Sequence, residues 1–198
     1  MLLLLALAPL SITAPYVLLE PEQPNGTITF PASLEVQPEG YLLVVLDGVG
    51  ENIMRDPSMM PKLVERLNEQ AVLSVTTGPL TLSATCVREM MTGVPNAPID
   101  GLRNFNMEHP GGMDPWLLAA NSERYSVGMI GSYVMGNMYG DHPEIEFVNT
   151  FEGHADYYEG DEATAELLER WLLDSRHNVV AAHFLSLIHI SEPTRHRR

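Results

Sequence analysis

Asp47 follows directly on "YLLVVL", an unbroken apolar run from Tyr41 to Leu46. A buried strand has no use for a charge, so a carboxylate at its end is reserved for a ligand or for a turn. Beyond the carboxyl end of a parallel strand it can hold a divalent metal; an Asp there can equally cap the next turn. Thr81 and Ser83 are the second candidates, in "GPLTLSATCVREMMTG", at the junction of a strand and a helix. A hydroxyl at a helix start faces free backbone N–H groups and the positive end of the dipole. That position favours a phosphate or sulfate and lowers the cost of an alkoxide. The same residues also make ordinary helix caps. Asn104 is the third, in the loop "TGVPNAPIDGLRNF", stiffened by Pro95, Pro98 and Gly101. Its amide can point a donor at an anion, or only form a turn.

Alternating elements must position these groups. Tyr41–Leu46, continuously apolar, reads as a strand buried on both faces. "PKLVERLNEQ" has helical spacing, "AVLSVTT" reads as a second strand, and "SATCVREMMTG" as a helix closed by Gly93. "PWLLAANSER" is a helix, "YSVGMIGSYV" and "IEFVNTF" are strands, and "NVVAAHF" is a last strand. Between them "DEATAELLERWLLDS" is the clearest helix, with acids in the first turn where they suit the dipole. The expected fold class is α/β, a mainly parallel sheet with helices on both faces.

Composition narrows the functions. The 198 residues are 45% apolar, as in a globular domain or a piece of a larger one. The formal net charge is −15 and Lys62 is the single lysine, which argues against nucleic acid as a partner. Cys86 is the single cysteine, so neither an internal disulfide nor a cysteine-based zinc site is available. Residues 1–19, "MLLLLALAPLSITAPYVLL", carry no charge and read as a signal anchor or signal peptide. The protein is then membrane-anchored or exported, with its catalytic domain outside the cytoplasm. The prolines and the missing basic flank leave a buried hairpin as the competing reading. Residues 20–39 read as a linker or hairpin; Asn25-Gly26-Thr27 within them is a glycosylation sequon or a turn. His142 and His154 lie in an acidic stretch that is a substrate-side loop, a weak cation site or a solvated surface. The Met-rich "GMIGSYVMGNMYG" reads as core and loop packing.

In order, "VVLDG", "PLTLSATCVREMMTG" and "GVPNAPIDGLRNF" resemble the alkaline phosphatase superfamily. Within it the likeness is to type I phosphodiesterases and to the ethanolamine phosphate transferases that decorate glycolipid anchors. The resemblance spans about residues 41–184. It implies that Asp47 binds zinc and that Thr81, twelve residues before Gly93, is both nucleophile and metal ligand. It fits Thr81 better than Ser83 or Thr85. Asn104 falls where the phosphodiesterases place an Asn that binds the phosphoryl oxygens. Asp100 departs from many of them, which have His. The implied chemistry is attack on phosphorus by Thr81 with two zinc ions, or other divalent metals, and a phospho-threonine resolved by water or an acceptor hydroxyl. The implied substrate is a phosphodiester or a phospholipid-type molecule.

The remaining ligands are not assigned. In the relatives, the strand resembling "AAHFL" leads into a Gly-Leu-Asp-His type motif that supplies an Asp and a His. Here "LSLIHISEPTR" follows, which resembles a translated sequencing adapter. On this reading residues 185–198 are a non-native tail, 40–184 are the N-terminal part of a phosphoesterase domain, and the chain itself is expected to be inactive. His183, His189 and His196 then form no metal cluster: the first two are six residues apart and no carboxylate shares their pattern. A sulfatase is disfavoured, since Thr81-Leu82-Ser83-Ala84-Thr85 lacks the Cys/Ser-x-Pro-x-Arg setting. A phosphoglycerate mutase relative, or a non-catalytic binding domain, is also compatible with such a scaffold, because fold does not fix function.

Overall fold

The computed structural model describes residues 39–70, 72–103, 106–109, 114–153 and 156–185. Residues 1–38 and 186–198, with Asn25, His189 and His196, lie outside the described residues, as do Asn104 and His154. No described helix is long and apolar enough to cross a membrane.

Four strands form the sheet: β1 (Tyr41–Leu46), β2 (Val127–Gly131), β3 (Ile145–Asn149) and β4 (Val179–Phe184). Their order is β1-β4-β2-β3 and all pairs are parallel. The helices are α1 (Glu51–Met54), α2 (Pro61–Glu69), α3 (Ser83–Thr92), α4 (Pro115–Ala120), α5 (Tyr133–Tyr139) and α6 (Tyr157–Leu173). A 3₁₀ turn spans Pro98–Arg103.

Strand alternation divides the core between the two faces. Val127, Met129, Val179 and Ala181 pack with Ala84, Val87 and Met91 of α3, Trp116 of α4 and Met135 and Tyr139 of α5. Ile130 and Val180 pack with Trp171, Leu167 and Leu168 of α6. The expected α/β architecture, a parallel sheet clothed by helices on both faces, is what the chain adopts. β4 is fully enclosed because it is central, and that leaves His183 without solvent exposure.

Four expectations need correction. Tyr41–Leu46 is not buried on both faces: β1 is an edge strand, with Tyr41, Leu42, Val44 and Leu46 exposed. It pairs with β4 alone among the described residues. Residues 72–77 form no strand, and Leu73 and Val75 face solvent. β-branched composition favours a strand only where a neighbour supplies the ladder and a surface to pack on. The strand expected through Val134 stops at Gly131, because Ser132 accepts the Val134 N–H with its side chain and starts α5. The helix beginning at Pro115 likewise ends early, at Ala120. The methionines behave as expected: Met129 and Met135 are completely buried.

Candidate active site at the carboxyl edge of the sheet

The carboxyl ends of β1 and β4 lie side by side, with Leu46 in register with Phe184. The Asp47 N–H donates to the Phe184 carbonyl at 3.0 Å, so Asp47 continues the ladder by one residue. Gly48 then turns the chain away with φ 73°, in the left-handed region that glycine enters without cost. Asp47 is thereby held on the sheet while its side chain projects past it.

His183 meets it there. It sits on the same face of β4 as Val179 and Ala181, the face covered by α3, α4 and α5. Its Nε2 lies 3.6 Å from Asp47 Oδ2. That is too long for a hydrogen bond, and neither atom has a hydrogen-bond partner among the described residues. On the other side of the ring, Nδ1 is 3.3 Å from Ser132 Oγ. Gly131 makes the room: with φ 151°, a Cβ on it would come within 2.8 Å of His183 Cβ. His183 is thus clasped between the end of β2 and the end of β1. Sequence reading considered it only with His189 and His196, because nothing local reveals that β4 lies next to β1.

The hydroxyl of Ser83, the first residue of α3, lies close enough to Asp47 to affect its ionisation. Burial opposes ionisation of Asp47. His183, the Ser83 hydroxyl and the Gly48 N–H outweigh it and hold the carboxyl below the usual range. Asp47 is a carboxylate at neutral pH, and its charge spreads to its neighbours. Burial pushes up the Cys86 thiol, and the charges of Glu89 and Asp47 add to that. Burial, Tyr157 and Asp47 raise the Tyr133 phenol.

Thr81 is exposed, two residues before α3. Neither Thr81 nor Ser83 caps the helix. Leu82 occupies the N-cap position and makes no side-chain cap bond. Among the described residues the ordinary capping role therefore falls to neither hydroxyl, and the positive helix end has no side-chain cap. The segment carrying Thr81 is nevertheless fixed. Asn96, buried, accepts the Leu80 N–H at 3.0 Å and donates to the Leu80 carbonyl at 3.1 Å. It also donates to Glu89 Oε2 at 2.7 Å, while Glu89 accepts the Gly78 N–H. Asn96 escaped the sequence reading, as an Asn in a Pro-rich loop is normally a turn former.

Asp100 has a structural role. It is buried, pairs with Arg88 at 2.5 Å and accepts the Ala97 N–H at 2.8 Å. His142 likewise serves a turn, with its Nδ1 accepting the Glu144 N–H at 3.3 Å.

Among the described residues no group of three or more His, Cys, Asp and Glu side chains could hold a metal ion. The donors that do converge are Asp47, His183 and the Ser83 hydroxyl. A carboxylate oxygen, an imidazole nitrogen and a hydroxyl are a chemically suitable partial set for zinc. An apolar cavity of about 570 Å³ lies elsewhere, at the amino end of β1 and β4, lined by Tyr41, Leu43, Met91, Trp116 and Val179. It contains no carboxylate or imidazole, so the chemistry is assigned to the opposite end of the sheet. Comparisons with protein-family models, curated proteins and solved structures find no match to this chain.

Proposed function

We propose that this chain carries the nucleophile-bearing part of a metal-dependent phosphodiesterase or phosphoethanolamine-type phosphotransferase. The observation that carries the reading is the placement of Asp47 directly after β1, its N–H continuing the ladder to the Phe184 carbonyl, with its carboxyl held below the usual range near the start of α3. A phosphoryl group seated there meets free N–H groups and the helix dipole. The resemblance to the alkaline phosphatase superfamily supports the same assignment.

Thr81 Oγ1 attacks phosphorus, the bond to the leaving oxygen breaks, and the leaving group departs as an alcohol once protonated. Water or an acceptor hydroxyl then attacks the phospho-threonine and restores Thr81. A bound divalent metal, two zinc ions in the complete parent enzyme, supplies Lewis acidity to the attacking and leaving oxygens. Asp47 would hold the metal, Asn96 fixes the backbone before Thr81, and Asn104 is assigned to the phosphoryl oxygens by resemblance alone. The membrane or export assignment rests on residues 1–19.

Ser83 is the second candidate nucleophile, favoured by its nearness to Asp47. Both readings are tested in the complete parent enzyme, because this chain alone is expected to be inactive: it is incubated with Zn²⁺ and bis(4-nitrophenyl) phosphate, quenched, and any adduct mapped by peptide mass spectrometry. An adduct on Thr81, lost in Thr81→Ala and kept in Ser83→Ala, supports the first reading. An adduct on Ser83 replaces it with the second. A folded, zinc-loaded parent enzyme with no adduct on either residue overturns both.

A further inference from the structure

We propose that His183 Nε2 and Asp47 Oδ2 are ligands of one divalent cation, making His183 the nitrogen donor of the site. This shares the metal with the proposed function and is independent of the reaction. Three observations converge. The two atoms face each other at 3.6 Å. Both are buried and neither has a hydrogen-bond partner among the described residues. The remaining ring nitrogen, Nδ1, is directed at Ser132 Oγ.

The separation discriminates between occupants. A proton shared by this pair would draw the atoms to about 2.7–2.9 Å, the length of a charge-assisted hydrogen bond. Two metal–ligand bonds of about 2.0–2.2 Å reach across 3.6 Å with an open angle, as tetrahedral zinc allows. The ring is also set for coordination. Ser132 Oγ already accepts the Val134 N–H and can accept a second proton from Nδ1. That tautomer leaves a lone pair on Nε2, aimed at a carboxylate. In that tautomer a cation between the two acceptors offsets their repulsion, as a proton on Nε2 does in the metal-free chain, where His183 helps hold the Asp47 carboxyl down. A metal-binding imidazole normally donates its other N–H to an oxygen acceptor in this way.

Access is through Asp47, whose side chain is 19% exposed beside the completely buried His183. The Ser83 hydroxyl and water are available to complete the shell. The descent of β4 beside β1 therefore does what the spacing of His183 and His189 could not: it brings a nitrogen to the carboxylate from a distant part of the chain.

The test uses the full chain, with folding checked by circular dichroism. Co²⁺ is added and the paramagnetic proton NMR spectrum recorded; Zn²⁺ affinity is measured by calorimetry. The expected result is one hyperfine-shifted, exchangeable imidazole N–H resonance, absent from His183→Phe. Zn²⁺ affinity should fall at least about tenfold in His183→Phe and about 10–100-fold in Ser132→Ala, as for loss of an outer partner. The wild-type spectrum alone is decisive should His183→Phe fail to fold. Co²⁺ binding that needs Asp47 but gives no shifted imidazole resonance overturns the proposal and leaves the phosphotransferase reading intact. A shifted resonance that persists in folded His183→Phe overturns it as well. Absence of Co²⁺ binding by the folded chain overturns it and leaves the phosphotransferase reading of the complete parent enzyme to its own test. The adduct experiment still judges Thr81 separately.

Discussion

Asn96 holds Leu80 by both backbone groups, at 3.0 Å to the N–H and 3.1 Å to the carbonyl, one residue before Thr81. A side-chain amide here stands in for a neighbouring strand. Asn96→Ala removes both bonds to the half-buried Leu80, whose carbonyl keeps only the weak Cys86 thiol contact, a cost of about 0.5–1.5 kcal/mol. Urea unfolding should show that loss. Proteolysis under native conditions should find new cleavage near Gly78–Leu82, while the core sheet stays protected.

Arg88 and Asp100 form a pair that solvent scarcely reaches, with side-chain exposures of 7% and 3%. Asp100→Ala strands the guanidinium in the core and should cost about 3–5 kcal/mol. Replacing both partners with apolar residues should cost much less, since no charge is then left buried. A double-mutant cycle in urea separates the two outcomes.

Asp114 predicts the acid limit of the fold. Its carboxylate accepts Trp116 N–H at 2.7 Å and the Tyr139 hydroxyl at 2.7 Å, and meets His109 Nε2 at 2.6 Å. Burial opposes its ionisation, but these partners hold its pKa below the ordinary value. A depressed carboxylate stabilises the fold fully above its unfolded pKa of about 3.9. That contribution is lost as pH falls through the lower, folded value. Stability from this group should therefore be flat above about pH 5 and decline below about pH 4. Asp114→Asn should flatten the decline and lower stability at neutral pH, as read from urea midpoints across pH.

Gly131 is the hinge pin of the His183 pocket. Gly131→Ala would place a Cβ 2.8 Å from His183 Cβ and 3.2 Å from the His183 carbonyl, on a backbone with φ 151°. Overpacking of this kind costs about 1–3 kcal/mol. A lowered melting temperature should accompany a displaced His183 imidazole resonance. An unchanged resonance would show that the pocket yields elsewhere.

Local pattern and three-dimensional pairing were unequally legible. α3 was readable because its apolar periodicity and Gly93, which ends it with φ 70°, are written into neighbouring residues. Asp47 was conspicuous because a charge ends an apolar run. β1 was misread as interior, since an apolar edge strand and an apolar central strand share one composition; only strand order separates them. Residues 72–77 show the same weakness, as strand propensity yields no strand without a partner ladder. His183, Ser132 and Asn96 act across 136, 51 and 16 residues of sequence, respectively, on Asp47, His183 and Leu80. Nothing within a local window records such contacts.

Among the described residues the outer edge of β1 pairs with nothing, and that has a consequence in solution. An apolar strand with an unpaired margin is a template on which a second extended chain can assemble. With a net charge of −15, like-charge repulsion between copies opposes that assembly. Salt at 0.1 M shortens this repulsion to about 10 Å. The acidity of the surface is then a colloidal safeguard for the sheet margin, and ionic strength sets how long a concentrated solution stays monodisperse.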